Sequence, residues 1–435
     1  MTFRHFLPVL ACGLVACVGD ASTPPSGQDA GVDATGDAGP VEAAVDTGVD
    51  ALVDAGTVYN DITDKNRWET LDLATLTGGL KFYNGGTFDG RYVYYTPEGG
   101  ATPHGVLLRY DTTLPFATSS YEKYDLTQKN GALKSFTGAI FDGTYVYLPP
   151  YKNGAQYHGN FVRYKTSSPF GSATSYETYD LAANLDPLDV GFGPGAFDGK
   201  YVYITPFIAR SAVRFDKAGT FNVAGSYESY VTTTNNENWV TSGFDGKYMY
   251  LVPGLIGGAA YYGGIKRYDT TKVFNQPASW LLYDVGVAVD PKAKGFQGSV
   301  FDGRYLYFIP AFGTVTVRYD TQGQFDSASS WTKFDLTLVN VGATSFVGGT
   351  FDGRYVYFSP FPGALAIRYD TQQTFAATPS WQVFDLTTKD LGAKGYAGAV
   401  FDGRHVYFVP NKGTVAARFD AKSPSSLPAF QSSFF

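Results

Sequence analysis

The side chains best suited to bind a ligand or move a proton stand where this chain departs from its own repeating pattern. They are His104, His158, Asp186, Asp189, Glu237, Tyr262 and Asp290. Imidazoles and carboxylates can act as general acids and bases, and a phenol can hydrogen-bond a polar ligand. We take these seven residues as candidates for a ligand-binding surface, and the sequence names no catalytic residue.

Two pairs among them suggest more specific chemistry. Asp189 with Glu237, from neighbouring repeats, is the one pairing that would suit a glycosidase, because that reaction uses two carboxylates within reach of one bond. His104 and His158 could begin a metal site, but the spacing reveals no third ligand. Loop acids and loop histidines are more often ordinary surface residues, so the sequence predicts neither a metal nor a cofactor.

Thiol chemistry is absent from the predicted mature domain. The chain has two cysteines, Cys12 and Cys17, and both lie in the N-terminal processing region. No phosphate-binding glycine loop and no nucleophile elbow is present. The domain therefore has no disulfide and must be stabilised by its core, which a chain of this size can supply.

The elements that position the candidate residues come from a repeat. Phe-Asp-Gly occurs seven times at spacings of 47 to 57 residues, a period typical of propellers. The copies begin at Phe88, Phe141, Phe197, Phe244, Phe301, Phe351 and Phe401. Asp-Gly between two alternating apolar runs predicts a two-residue hairpin turn, and two further strands follow in each repeat. The sequence thus predicts an all-β, seven-bladed β-propeller with four antiparallel strands per blade.

The candidate residues fall in two sets of connections that share one face of such a disc. Loops between second and third strands are long in the first, second and fourth repeats, where they hold His104, His158 and Tyr262 at matching positions. Connections into the first strands bring the carboxylates, including Asp390. Together they predict a polar pocket with aromatic edges, which is the usual character of a ligand site.

Two other positions hold one residue type in all seven repeats. Five residues before each Phe-Asp-Gly stands an aromatic residue: Tyr83, Phe136, Phe192, Trp239, Phe296, Phe346 and Tyr396. Each third strand carries an arginine: Arg109, Arg163, Arg214, Arg267, Arg318, Arg368 and Arg418. The rings could stack on a sugar and the arginines could bind anions. Repetition in every blade favours instead packing between blades and charge pairing, with the aspartate of each turn close at hand.

The order of these strands resembles Kelch repeats over residues 66–435, although this chain has proline where Kelch repeats carry a glycine pair. The resemblance implies architecture and no family function. Residues 67–73 repeat the fourth-strand pattern ahead of the first blade, which predicts that they complete the last blade. In the alternative, residues 431–435 form that strand.

The first 16 residues are similar to a lipoprotein signal peptide. Leu14-Val15-Ala16-Cys17 resembles a bacterial lipobox, so we expect cleavage before Cys17 and acylation of its thiol. An ordinary signal peptide with an accidental cysteine is the alternative. Residues 17–60 are rich in Asp, Ala, Gly and Val and predict a disordered acidic linker with a reach on the order of 35 Å. The propeller then spans residues 61–435.

The distribution of charged residues limits the classes of partner that we expect. Eight of the 40 acidic residues but one of the 33 basic residues lie in the first 56, so the domain is formally neutral and gives no support to nucleic-acid binding. No apolar run is long enough to cross a bilayer. We expect a monomer tethered to membrane lipid through acylated Cys17, at the outer membrane or cell surface of the cell envelope. It would bind a glycan or protein ligand as a scaffold; the alternative is a polysaccharide-acting hydrolase or lyase with a carboxylate site on the long-loop face.

Overall fold

The computed structural model describes residues 56–232, 237–256 and 260–429 of the 435-residue chain. The expectations for the signal peptide, for Cys17 and for residues 431–435 as a closing strand lie outside the described residues, as does nearly all of the predicted linker. The described residues form seven four-stranded antiparallel blades, one of which carries an extra short strand. The predicted seven-bladed propeller is therefore confirmed.

Blades are numbered in chain order, and each has an inner, a second, a third and an outer strand. Blade 1 has Tyr83–Phe88, Tyr92–Pro97, Val106–Asp111 and Tyr121–Asp125. Blade 2 has Ile140–Phe141, Tyr145–Leu148, Asn160–Lys165 and Tyr176–Asp180. Blade 3 has Gly193–Phe197, Tyr201–Thr205, Ser211–Asp216 and Tyr227–Val231. Blade 4 has Glu237–Phe244, Tyr248–Ile256, Gly264–Asp269 and Trp280–Asp284, with Ala260–Tyr261 added to its second strand.

The remaining blades are the most regular. Blade 5 has Phe296–Phe301, Tyr305–Pro310, Val315–Asp320 and Trp331–Asp335. Blade 6 has Phe346–Phe351, Tyr355–Pro360, Leu365–Asp370 and Trp381–Asp385. Blade 7 has Tyr396–Phe401, His405–Pro410, Val415–Asp420 and, from the start of the described chain, Trp68–Asp72. Each inner strand contacts the inner strands of both neighbouring blades, so the ring is closed.

Short helical turns connect the strands. Turns before the outer strands are Lys65–Arg67, Thr118–Ser120, Ala173–Ser175, Ala224–Ser226, Pro277–Ser279, Ala328–Ser330 and Thr378–Ser380. Turns after them are Ala74–Thr77, Leu126–Gln128, Leu181–Asn184, Val285–Ala288, Leu336–Leu338 and Leu386–Thr388. An aspartate at the end of the outer strand caps most of the second set, as where Asp125 accepts the Thr127 N–H at 3.0 Å.

The closing strand joins the two ends of the described chain. Trp68 lies opposite Phe419, and Asp72 lies opposite Val415. The Trp68 side chain is fully buried; its ring stacks 4.9 Å from that of Phe384 in blade 6, and its indole N–H donates to the Ile62 carbonyl at 2.7 Å. Blade 7 is thus complete without any residue beyond its third strand.

The core occupies the spaces between neighbouring blades. One apolar cluster joins Val300 and Tyr307 of blade 5 to Phe346 and Phe358 of blade 6, and comparable clusters fill the other gaps. The seven aromatic residues that precede the Phe-Asp-Gly motifs are all at most 1% exposed, which confirms that they pack between blades. Burial of such rings is the main stabilising term of the fold.

The Asp-Gly turns differ from their prediction. Three residues, such as Asp89, Gly90 and Arg91, lie between the two strands, so the two-residue turn was wrong. The Asp89 carboxylate folds the loop because one oxygen accepts the N–H groups of Arg91 and Tyr92, and the other accepts the Tyr94 hydroxyl at 2.6 Å. Gly90 follows with φ of +101°, a conformation that glycine adopts without strain.

The disc has two faces, which we name by what they carry. The turn face carries the Asp-Gly turns and the connections from third to outer strands. The loop face carries the loops between second and third strands and the connections into the inner strands. This follows from antiparallel order, since successive connections of one blade alternate between its two ends.

Candidate functional site

Three of the predicted site residues share one structural task on the loop face. His104 Nδ1 accepts the Val106 N–H at 3.3 Å, and His158 Nδ1 accepts the Asn160 N–H at 3.3 Å. In blade 3, Asp189 Oδ1 accepts the Ser211 N–H at 3.0 Å. Each acceptor thus satisfies a backbone donor at the start of a third strand.

The histidines use their second ring nitrogen in the same way. Nε2 of His104 lies 3.0 Å from the Lys81 carbonyl, and Nε2 of His158 lies 2.8 Å from the Lys134 carbonyl. Because Nδ1 accepts, Nε2 carries the proton, and both rings are neutral. Burial lowers the pKa of each imidazole. These two histidines tie each long loop to the connection that precedes its inner strand.

Asp189 and Asp186 lie together but differ in exposure. Asp189 is fully buried, and its Oδ2 has no hydrogen-bond partner among the described residues. Burial raises the pKa of Asp189 to about 6. Asp186 is half-buried and pairs with Arg210 at 3.1 Å. Asp189 occupies a position that is Leu or Ala in five other repeats, so it is an acid in an apolar setting.

Glu237 and Tyr262 belong to a second group, in blade 4. Lys266 replaces the aliphatic residue that every other repeat has before its arginine. Its Nζ donates to the Thr232 carbonyl at 2.7 Å and lies 5.3 Å from the centre of the Trp239 ring. Burial lowers the pKa of Lys266, while the nearby Glu237 opposes that shift. Burial, with Asp284 and Glu237, raises the pKa of Tyr262 to about 12.

The remaining predicted acids form exposed contacts. Asp290 Oδ2 accepts from Lys333 Nζ at 2.6 Å, and this hydrogen bond holds the pKa of Asp290 below its usual value. Asp390 accepts the Gly392 N–H at 2.8 Å and so folds its own connection. The structure therefore brings Asp186 close to Asp189 and Glu237 close to Tyr262, and it buries both Asp189 and Glu237.

A further acid, Glu98, was missed by the sequence analysis. It follows the second strand of blade 1, where blades 7, 1 and 2 meet on the loop face. Its Oε2 accepts from Asn84 Nδ2 at 3.1 Å and from Asn411 Nδ2 at 3.3 Å. Burial raises the pKa of Glu98 despite these bonds, and Glu98 in turn contributes to a raised pKa of Tyr151. We call Asn84, Glu98, Tyr151 and Asn411 the Glu98 site.

Aromatic rings surround the Glu98 site. The Tyr151 ring lies 5.8 Å from that of Phe207 and 5.6 Å from that of Tyr157. Lys412 Nζ lies between two phenyl rings, 5.2 Å from the centre of Phe82 and 5.1 Å from the centre of Phe361. The only signal in the sequence was that the residue after the second-strand proline is acidic in one repeat out of seven.

Exposed aliphatic side chains mark the rim of the loop face over blades 5 to 7. Val341 is 84% exposed, Leu391 83% and Val287 81%, and the more central Phe312 is 48% exposed. The Phe312 ring stacks 4.9 Å from that of Tyr261 in blade 4. Val287, Val341 and Leu391 lie on three successive connections, which lead into blades 5, 6 and 7.

The turn face, in contrast, uses its charged groups internally. Arg214 donates to the Tyr268 hydroxyl of blade 4 at 3.0 Å and to Glu228 at 2.8 Å, and its guanidinium lies 3.9 Å from the centre of the Tyr201 ring. Arg109, Arg267, Arg318 and Arg418 make the same bond to a tyrosine of the next blade. Charge pairing is confirmed in four blades, but the partner is an outer-strand glutamate, not the aspartate of the turn.

A shallow cavity of about 440 Å³ also lies on the turn face, between blades 3 and 4. It is lined by Asp198, Lys200, Tyr201, Arg214 and residues 270–273. Asp198 is already bonded to the Tyr203 hydroxyl and Arg214 to Glu228, so two of its charged groups are satisfied within the fold. Lys272 pairs with Asp269 at 3.7 Å and Lys200 lies over the Tyr201 ring, so Asp198 is the one carboxylate among the lining residues.

The described residues contain neither a metal-binding cluster nor a membrane-spanning helix. In the described ranges, no three His, Cys, Asp or Glu side chains are arranged to hold a metal ion. Over the same part of the chain, no helix has the length and apolar character needed to cross a bilayer.

Comparison with known proteins identifies a fold and no family. No family model matches the chain, and no curated protein matches it. Among solved structures, a streptogramin B lyase has 13% identity and a TM-score of 0.57, covering 81% of this chain and 97% of its own. A structure of YCF48 bound to D1 peptide has 13% identity and a TM-score of 0.50, covering 82% of this chain and 97% of its own. The Cps50 (Swd1) propeller domain of Myceliophteria thermophila has 9% identity and a TM-score of 0.51, covering 81% and 99%. At these identities the chain is similar to them in propeller fold alone.

Proposed function

We propose that this protein is a binding module that recognises a polypeptide through its loop face. The observation that carries the proposal is the contrast between the faces. The third-strand arginines of the turn face are bonded within the fold, and the exposed aliphatic side chains there, such as Val58 and Val273, reach at most 63% exposure. On the loop face Val287, Val341 and Leu391 are each more than 80% exposed. Aliphatic tips around polar groups suit a protein surface better than a sugar.

The arrangement of acids supports binding over hydrolysis. Asp189 is fully buried and bonded to Ser211, and Glu237 is 2% exposed beside Tyr262 and Lys266, so neither carboxylate of the predicted pair is open to a substrate. A glycosidase needs its two carboxyl groups to flank one bond. A glycan ligand and a polysaccharide hydrolase or lyase therefore become alternative outcomes of the test. The solved YCF48 complex, which contains a D1 peptide, is an example of a propeller with a polypeptide ligand.

We also propose that acylated Cys17 tethers the domain to the cell envelope, and that the repeat is Kelch-like in strand order only. The described chain starts on the turn face, where Val58–Tyr59 pairs with Lys422–Ser423. A tether attached there leaves the loop face free to point away from the membrane. Its predicted reach on the order of 35 Å would let the loop face meet a partner beyond the lipid surface.

Peptide arrays probed with the full chain test the ligand class. We expect a set of bound peptides whose affinity falls at least about tenfold in the double variant Val341→Ser, Leu391→Ser, because an apolar contact is lost on each. Leu114→Ser is the matched control, since Leu114 is an exposed aliphatic residue of the turn face. Binding to glycan arrays alone, or equal loss in the Leu114 variant, would overturn the proposal.

The anchor is tested by Cys17→Ser. Lipid attachment requires the thiol, so the variant should leave the membrane fraction or accumulate unprocessed. Partitioning into detergent phase and labelling with radioactive palmitate measure this directly. A variant that remains membrane-bound and normally processed would show that Cys17 is not the anchor.

A further inference from the structure

The Glu98 site has unused hydrogen-bond acceptors. Both amide donors that reach the Glu98 carboxylate end on Oε2, so among the described residues Oε1 has no donor. The Asn84 side-chain oxygen is buried and also has no partner there. Asn411 Nδ2 uses its second hydrogen on the Tyr83 carbonyl at 2.9 Å. The site therefore lacks donors, and an unpaired buried acceptor is costly.

The rings beside the site already hold one ammonium group. Lys412 Nζ lies over Phe82 and Phe361 at 5.2 and 5.1 Å, within the range of a cation–π contact. The Lys412 side chain is exposed, so water and salt weaken its effect on a second cation. Lys412 from blade 7 and Tyr151 from blade 2 are the titratable groups that act on Glu98.

We propose that the Glu98 site binds the ammonium group of the polypeptide ligand, either a lysine side chain or the N-terminus. An ammonium brings three donors and no acceptor, which matches the unused Oε1 of Glu98, a side chain that is only partly buried. The rings of Tyr151 and Phe207 provide the apolar wall that such a group and its stem can pack against. This inference rests on the proposed polypeptide-binding function and specifies which chemical group the site reads.

The test uses small probes, so it needs no identified partner. The chain has seven glutamates, Glu42, Glu69, Glu98, Glu122, Glu177, Glu228 and Glu237, and labelling their side-chain carboxyl carbons gives few NMR signals. The Glu98 signal is assigned as the one missing in Glu98→Gln. The probes are Nα-acetyl-lysine N-methylamide, glycinamide, and the neutral Nα-acetyl-norleucine N-methylamide, each titrated into the full chain.

We expect a saturable shift of the Glu98 signal with one of the two ammonium probes and none with the norleucine analogue. The probe that acts distinguishes a lysine side chain from an N-terminus. Binding to Glu98→Gln, which lacks the reporter signal, is measured by isothermal titration calorimetry alongside the wild type, and the affinity for that probe should fall at least about tenfold because a charge pair is lost. Lys412→Met should tighten it about threefold, because a like charge is removed. Asp335→Asn, which removes an acid from the loop-face end of the outer strand of blade 5, is the control and should leave the affinity for the probe unchanged.

Other results would overturn the inference. A Glu98 signal that moves equally with the norleucine analogue, or with neither ammonium probe, excludes an ammonium site. A response to calcium alone would identify a metal-cation site instead, and a response to the neutral sugar N-acetylglucosamine alone would point to a sugar ligand. Peptide capture that persists while the ammonium probes fail contradicts this inference without touching the proposed function.

Discussion

The two faces of this propeller are made from the same repeat and differ in how far they follow it. On the turn face every repeat contributes an aspartate bonded to a tyrosine hydroxyl at 2.6 to 2.8 Å. On the loop face equivalent positions hold different residues: the residue after the proline near the end of the second strand is Glu98, Tyr151 or Phe207 in the first three blades. The contacts that recur in every repeat stabilise the ring, and the residues that vary between repeats are available to bind a ligand.

Truncating Trp68, which anchors the strand that completes blade 7, should give the largest effect on stability. Trp68→Ala removes a fully buried indole that stacks on Phe384 and bonds to Ile62, so we expect a loss of about 3 to 5 kcal/mol of unfolding free energy. Denaturant unfolding of the full chain measures it. Trp68→Phe should lose less, because most of the ring contact is kept. A loss below about 1 kcal/mol would mean that the closing strand contributes little.

Two arginines of blade 3 compare the faces directly. Arg214→Met breaks bonds to Tyr268 and Glu228 on the turn face and should cost about 2 kcal/mol. Arg210→Met on the loop face removes an exposed pair with Asp186 and should cost less than about 0.5 kcal/mol. Denaturation midpoints of the two variants give the comparison. Equal losses of unfolding free energy in the two variants would contradict the conclusion that the charged contacts of the turn face stabilise the fold more than those of the loop face.

The Tyr268 hydroxyl that Arg214 bonds can be tested by substituting phenylalanine, a residue that two other blades already have at the equivalent position. Tyr268→Phe removes only the hydroxyl that Arg214 reaches and should cost about 1 kcal/mol. Blades 3 and 7 already have Phe215 and Phe419 at this position. Phe215→Leu is not equivalent, because it also removes ring contacts. No change in stability for Tyr268→Phe would mean that the contacts of Arg214 with aromatic rings, and not its hydrogen bond to Tyr268, stabilise this part of the fold.

Asp189 predicts a pH dependence. Its pKa in the folded state is about 6, above the value of an exposed aspartate, so the folded state binds the proton more readily than the unfolded state between about pH 4 and 6. The ionised Asp189 carboxylate therefore lowers the free energy of unfolding above pH 6. This destabilisation disappears as the pH falls towards 4 and the carboxylate is protonated. The difference in melting temperature between wild type and Asp189→Asn, followed from pH 8 to 4.5, should shrink with falling pH. A constant difference would show that Asp189 does not titrate in this range.

The smallest effect is expected at the rim of the loop face. Val341→Ser and Leu391→Ser change side chains that are more than 80% exposed, so each should alter unfolding free energy by less than about 0.5 kcal/mol. The same variants are expected to lose peptide binding. A large destabilisation would show that these residues pack within the fold and would remove the reason for assigning them to a binding surface.

The sequence predicted the parts of the molecule that repeat. Seven Phe-Asp-Gly motifs at a propeller period gave the number of blades, and the aromatic residue before each motif is in the core as expected. The length of the turn was missed because the aspartate side chain, which bonds Arg91 and Tyr92, replaces part of the backbone pairing. Such a contact depends on geometry that residue type alone does not specify.

The candidate site was harder to predict, since its residues are exceptions to the repeat. Spacing showed that His104 and His158 are equivalent but not that their nitrogens serve the backbone, nor that Asp189 takes over that task. Glu98 was overlooked because it is close in sequence to a conspicuous loop and far in sequence from Asn411, its partner across the closed ring. Comparison of equivalent positions would have found both Glu98 and Lys266.

The short pairing between the two ends of the described chain has a mechanical consequence. Val58–Tyr59 lies antiparallel to Lys422–Ser423, the Asn60 side chain bonds the Asp420 carbonyl, and Arg368 bonds the Asn60 carbonyl at 2.8 Å. A force that pulls on the chain before Gly56 must break these bonds before it reaches Trp68–Asp72. The closing strand is thus shielded from tension on the tether, and we expect the ring to stay shut while the first few residues are pulled away.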